Sequence, residues 1–190
     1  MGYIHVFNHI SIDGFFAGPN DELDWFYTLP HDDEWYNYTH SQAGTSSALI
    51  FGRTTYDMMK SFWPTKEAIK LDPVMAKSVN ESTKIVFSKK LKKIEEEENW
   101  KSITFYHEIN PDEIEMLKQT NSITILGSSS IIQQFANHDL IDEYFLVLVP
   151  VVLGSGKSFF KDLKKTNLKL LEARSFKNGI VLLHYKSNRE

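Results

Sequence analysis

Residues 139–160 constrain the fold more than any other part of the chain, because a long apolar run there passes directly into a proline and a glycine-rich turn. The stretch from Tyr144 to Leu153 reads as a buried strand. Proline cannot donate to a strand ladder, so Pro150 marks a bulge, a strand edge or a break. Beyond it, Gly154 and Gly156 permit a tight reversal that returns Phe159 and Phe160 to the core. The ending Gly156-Lys157-Ser158 also invites a phosphate-loop reading. That loop requires a glycine five positions before Gly156, where Val151 stands, and the reading fails.

The rest of the chain supplies a strand-helix rhythm. Residues 3–10 read as a first strand ending at a turn over Ser11 to Gly14, and a polar loop with Gly18-Pro19-Asn20-Asp21 follows. A helix is expected from Asp32 to Ala43, with Trp35, Tyr38 and Thr39 on one side and Gly44 as its stop. Residues 48–51 form a short buried strand, after which Thr54 or Thr55 caps a helix through Met59. Pro64 and Pro73 break the next stretch. Residues 84–87 are another strand, and 89–98 a charged run that is most simply a solvated connector. Strand 103–106, a helix from Pro111 to Lys118, strand 123–126 and a helix from Ser129 to about Asn137 repeat the alternation. This argues for an α/β layer fold with parallel strands. The last strands, 144–153, 168–176 and 180–185, lack intervening helices. Lys177-Asn178-Gly179 signals a hairpin, so the sheet is expected to be mixed, with an antiparallel edge.

At 190 residues the chain is read as one domain that buries a core without metals or disulfides. It contains no cysteine, which removes thiol catalysis and thiolate zinc sites and fits a reducing cytoplasm. No signal segment or membrane-spanning apolar run is evident, so a soluble cytoplasmic protein is expected. A net charge of −4 and the absence of a basic stripe argue against nucleic-acid binding. His5 and His9 share a strand face, but no histidine spacing suits a metal, and none is expected.

Three turns at strand ends carry anion-binding chemistry. Gly52-Arg53-Thr54-Thr55-Tyr56 follows a buried strand and opens a helix, combining close backbone approach, free amides and a guanidinium. Gly127-Ser128-Ser129-Ser130 repeats the arrangement with three hydroxyls. Ser88-Lys89-Lys90 offers two cations and a hydroxyl suited to a phosphate monoester. Each alone is more often simply an ordinary turn with a helix cap. Together, at the strand ends where open α/β sheets place ligands, they make a dinucleotide site.

The succession Ser11-Ile12-Asp13-Gly14, Leu23-Asp24-Trp25, Gly52-Arg53-Thr54-Thr55-Tyr56, Phe87-Ser88-Lys89, Leu126-Gly127-Ser128-Ser129 and the 139–160 run resembles the RibD C-terminal reductase family along nearly the whole chain. In the last run the matching pieces are Leu140, Asp142-Glu143, Pro150-Val151, Leu153-Gly154, Gly156 and Phe160. The resemblance implies a three-layer dihydrofolate reductase-like fold, a homodimer, and an NADPH-dependent reductase of a pterin or ribosylamino-pyrimidine. It places the cofactor phosphates on Gly52, Arg53, Thr54, Thr55, Gly127, Ser128, Ser129 and Ser130, and the 2′-phosphate on Ser88 and Lys89. Two residues depart from the family pattern. Ser128 stands where a second glycine is usual, and Lys89 replaces the more common arginine with a point charge in place of a bidentate fork.

On the substrate side, a nicotinamide brings the hydride, so the protein must hold the acceptor and help a proton arrive. Asp13 resembles the acid of the family's Ser-Leu-Asp-Gly motif. Asp32, in Leu29-Pro30-His31-Asp32, followed by Trp35, resembles the acid that contacts the pteridine in dihydrofolate reductases. Either is a candidate for substrate orientation and proton delivery. Equally, Asp13 is an Asp-Gly turn residue, while Asp32 is more often simply an acid favoured by a helix dipole. Trp25 and Tyr56 are candidates to stack on the substrate ring, or are core. The zinc deaminase partnered with this reductase in the bifunctional riboflavin enzyme needs cysteines, so a stand-alone reductase-like domain is expected. A binding module that kept the fold and lost turnover is the alternative.

Overall fold

The computed structural model describes residues 2–90 and 96–188. Along the chain run β1 (Ile4–Ser11), β2 (Phe15–Ala17), a 3-10 turn (Asp24–Phe26), α1 (Asp33–Gln42), β3 (Ala48–Gly52), α2 (Arg53–Phe62), α3 (Lys66–Leu71), α4 (Pro73–Glu81), β4 (Thr83–Phe87) and β5 (Ile103–Tyr106). They are followed by α5 (Pro111–Thr120), β6 (Ile123–Gly127), α6 (Ser129–Asn137), β7 (Glu143–Val149), β8 (Lys157–Ser158), β9 (Leu168–Ser175) and β10 (Val181–Ser187). Eight strands make one sheet in the order β5-β4-β3-β6-β1-β7-β10-β9, while β2 and β8 pair separately. Pairings from β5 to β7 are parallel, and those of β10 with β7 and β9 are antiparallel, as the sequence predicts.

The alternation along β1 explains how the sheet is covered. Ile4, Val6 and Ile10 join one core cluster with Ile114 of α5 and Ile131, Ile132 and Phe135 of α6. On the opposite face, Trp35 and Tyr38 of α1 pack with Phe7, Val147, Phe176 and Leu182. Tyr56 of α2 and Val79 of α4 pack there with Leu49, Phe51, Val86 and Trp100. Helices therefore cover both faces, and β3, an interior strand, is buried at every position.

Several expectations change. Neither Thr54 nor Thr55 caps α2, which begins at Arg53 with Gly52 as its N-cap. Pro64 and Pro73 do not leave an irregular stretch. Thr65 caps α3, and Asp72 caps α4, with Pro73 in the first turn, where its missing N–H costs nothing. Strand β7 ends at Val149, so Pro150 is a break. Val147 and Val149 are buried within the chain, whereas Leu148 and Val151 are half-buried and Pro150 is exposed. Phe159 returns to the core, but Phe160 stays 45% exposed. In the hairpin only Gly179 has positive φ, at 89°. The Gly179 N–H donates to the Phe176 carbonyl, so a type I turn followed by a left-handed glycine makes the reversal. Of the charged run, residues 91–95 lie outside the described residues. Glu96, Glu97 and Glu98 are exposed, and Glu97 bridges to Trp100.

Candidate active site

The register of the parallel strands brings the three proposed anion turns to one edge of the sheet. Gly52 is level with Phe87, Phe87 with Tyr106, and Phe51 with Gly127. Arg53, Ser88 and Ser128 therefore leave the sheet side by side, at the carboxyl ends of adjacent strands.

Two of these turns touch. A Cβ on Gly52 would lie 2.7 Å from Ser128 Oγ and 3.0 Å from Ile131 Cγ1, so the approach requires glycine. Gly127 has φ 129° and is joined to Ser128 by a cis peptide. A Cβ there would meet the Phe16 ring at 2.8 Å and Thr55 Oγ1 at 3.1 Å. Neither α2 nor α6 has a side-chain cap; in α6 the Ile131 N–H donates to the Ser128 carbonyl at 3.0 Å, so the earlier first-turn amides are the ones a ligand would use. Thr54, Lys89 and Ser130 are exposed, and Ser130 Oγ lies 2.8 Å from Ser128 Oγ. Thr55 and Ser129 are buried, which limits them to packing and backbone contacts. Arg53 Nε donates to Asp57 at 2.6 Å, leaving its terminal nitrogens for an anion.

The end of β1 is tied to the glycine-rich turn. Asp13 accepts from Ser11 Oγ at 2.6 Å and from the backbone N–H groups of Leu153 and Gly154 at 3.1 and 2.7 Å. The Ser11 hydroxyl, joined by these amides, holds the Asp13 carboxyl below the usual range. Ile12 N–H donates to Val151, Phe159 N–H donates to Gly14, and β2 pairs with β8. Both loops thus form one layer that carries Phe16 onto Gly127.

Asp32 lies elsewhere. It caps α1, accepting from the N–H groups of Glu34 and Trp35 at 2.9 and 3.3 Å, and it accepts from Asn178 N–H at 3.0 Å. Burial pushes its carboxyl up, but the amides of Asn178, Trp35, Glu34 and Lys177 outweigh this and hold it low. It borders a cavity of about 670 Å³, lined also by Tyr38, Ser41, Arg174 and Lys177, that shares no residue with the strand-end row.

Tyr56 is corrected to a core residue: it is 3% exposed, and its hydroxyl accepts from Trp100 Nε1 at 3.2 Å. Trp25 is half-buried on the 3-10 turn, its Nε1 donating to Glu22 and its ring edge-on to Phe26 at 5.2 Å. Two histidines stand outside the site residues expected from the sequence. His9 stacks on Phe26 at 4.5 Å with 9° between the planes and meets Trp35 edge-on, and burial pushes its pKa down to about 4. His107 follows β5 as Ser88 follows β4, an equal offset that was visible in the chain.

Known proteins resemble this chain in sequence and in fold. The family described as the RibD C-terminal domain matches residues 2–182. The uncharacterized protein YyaP of Bacillus subtilis (strain 168) is 31% identical over 182 residues, covering 94% of this chain and 92% of the relative. A crystal structure of a protein assigned to riboflavin biosynthesis, from Shewanella sp. PV-4, has a TM-score of 0.76 at 23% identity, over 98% of this chain and 99% of that one. Dihydrofolate reductase from Enterococcus faecalis, complexed with NADP(H) and RAB-propyl, has a TM-score of 0.59 at 14% identity, over 99% and 98%. The fold is accordingly dihydrofolate reductase-like. With its match spanning nearly every residue, the chain belongs to the RibD C-terminal domain family.

Proposed function

We propose that this chain is an NADPH-dependent reductase of a small heteroaromatic substrate of the pterin or ribosylamino-pyrimidine kind, acting as a single domain. The observation that carries the reading is the row formed by Ser88, Gly52-Arg53 and Gly127-Ser128 at adjacent strand ends. The residues fit a dinucleotide: two uncapped first turns face the row, Gly52 and Gly127 allow close approach, and Arg53 and Lys89 supply cations. Gly52, Arg53, Thr54, Gly127, Ser128 and Ser130 would hold the pyrophosphate, with Thr55 and Ser129 packed behind them. Ser88 and Lys89 would hold the 2′-phosphate.

A dihydronicotinamide, when bound, supplies the hydride. The chain holds the acceptor ring against the aromatic wall of His9, Phe26 and Trp25. Asp13 fixes the loop layer beside it, and Asp32 joins α1 to the β9-β10 hairpin. Fluorescence titration of the four tryptophans with NADPH, followed by turnover of a pterin and pyrimidine panel, tests the reading. Absence of NADPH binding rejects it.

One observation favours a second reading, a dinucleotide-binding module without turnover: Asp13 and Asp32 are both engaged by backbone amides. NADPH binding with no oxidation across the panel would select it. A cytoplasmic homodimer is also proposed. The cysteine-free composition fits the compartment, and no helix among the described residues is long and apolar enough to cross a membrane. Leu170 and Leu171 on edge strand β9, 49% and 45% exposed, support the dimer, which sedimentation tests.

A further inference from the structure

We infer that His107 is a specificity-determining residue of this site, a proton-dependent ligand for the 2′-phosphate that separates NADPH from NADH. The inference rests on the dinucleotide reading above. Its basis is register. Gly52, Phe87 and Tyr106 are neighbours across β3, β4 and β5, so the next residues, Arg53, Ser88 and His107, leave the sheet in a row. The Ser88 N–H donates to the Tyr106 carbonyl at 2.9 Å and continues the ladder past the strand ends. His107 Nδ1 lies 2.9 Å from the Ser88 carbonyl oxygen.

That contact fixes the chemistry of the ring. A carbonyl oxygen only accepts, so Nδ1 carries the hydrogen, and Nε2 of the neutral imidazole is an acceptor. Nε2 becomes a donor to phosphate only when the ring takes up a second proton. The Phe105 ring stands edge-on to the imidazole at 5.4 Å, and His107 is exposed, so its outer nitrogen is open to a ligand. Among the described residues, the charged groups on the neighbouring elements are Lys89 and Lys90 beyond β4, Arg53 with its partner Asp57 on α2, and Glu108 next in the chain. Protonated at both ring nitrogens, His107 adds a further donor to the row. NADH presents a ribose hydroxyl at this point and gains little from it.

The test measures dissociation constants of NADPH and NADH from about pH 8 to about pH 6, the interval over which imidazoles ordinarily change charge. The preference for NADPH should rise about tenfold toward acid pH, as one charge-assisted hydrogen bond to phosphate allows. His107→Gln should abolish the rise and show a shallow fall, because the 2′-phosphate itself takes up a proton near pH 6. His107→Lys should keep a high preference across the range. Superimposable curves for the parent and His107→Gln would overturn the inference while leaving the dinucleotide site intact. Failure of both nucleotides to bind the parent would remove the site and the inference together.

Discussion

The carboxylate of Asp13 accepts the backbone N–H of Gly154 at 2.7 Å, across 141 positions of sequence. This bond, with that from Leu153, makes the turn after β1 and the glycine-rich turn after β7 one body. It is also why Phe16 rests on Gly127. Replacing Asp13 with Ala should loosen both loops, lowering turnover and weakening cofactor binding together, whereas a pure proton donor would affect turnover alone. Steady-state kinetics beside direct binding separates the two outcomes.

The same bonds predict a pH window. The folded carboxyl titrates below its ordinary value of 3.8, so the stability it contributes is complete above about pH 4 and is lost as pH falls through the lower folded value. The difference in melting temperature between the parent and Asp13→Ala should therefore stay constant at neutral pH and shrink only in stronger acid. A difference that already disappears near neutrality would mean that the bonds do not hold the carboxylate.

Lys84 titrates with the opposite consequence. It is fully buried, donating to the carbonyls of Asn80 and Lys101 and lying 4.6 Å from the centre of the Trp100 ring. Burial pulls its pKa down from 10.5 to about 8, while Glu96 partly opposes the shift. Between about pH 8 and 10.5 the unfolded chain binds the proton that the folded chain has released, so stability rises with pH. Denaturant unfolding should gain about 2 kcal/mol from about pH 8 to 9.5. Lys84→Met should flatten this rise. Tyr38, whose phenol is pushed up chiefly by burial, reverses the trend above about pH 10.

The sequence disclosed local features and concealed those set by helix phase or distant pairing. Gly179 and the two faces of β1 were legible because turn chemistry and a period of two are written within a few residues. The burial of Tyr56 was not, because a start at Arg53 instead of Thr54 or Thr55 decides which side chains of α2 face the sheet. Asp72-Pro73 did contain a helix start, but proline was read there only as a breaker. No local pattern announces that Asp13 will meet Gly154 or that Asp32 will meet Asn178. The strand-end turns were legible as types, whereas their common row depended on register.

Lys89 should distinguish the cofactors. As a point charge beside Ser88, it should favour NADPH over NADH by about tenfold, the lower end for a charged contact because the side chain is exposed. Lys89→Ala should remove most of that preference, read as the ratio of the two dissociation constants. Equal losses for both nucleotides would exclude Lys89 from the 2′-phosphate.

Gly52 and Ser128 give the sharpest test of the touching turns. Gly52→Ala places a methyl 2.7 Å from Ser128 Oγ and 3.0 Å from Ile131 Cγ1, so one turn must move, at a cost of roughly 1–3 kcal/mol. Ser128→Gly removes the closer obstacle and the bond to Ser130, leaving the Ile131 contact and the Ser128 backbone nitrogen at 3.3 Å. Gly52→Ala should therefore be milder in the Ser128→Gly background, with a coupling of at least about 0.5 kcal/mol in a double-mutant cycle of unfolding free energies. The same pair should be coupled in NADPH affinity, because both turns offer their amides to one ligand. Additive effects in both measurements would mean that the turns relax independently and do not form a shared cradle.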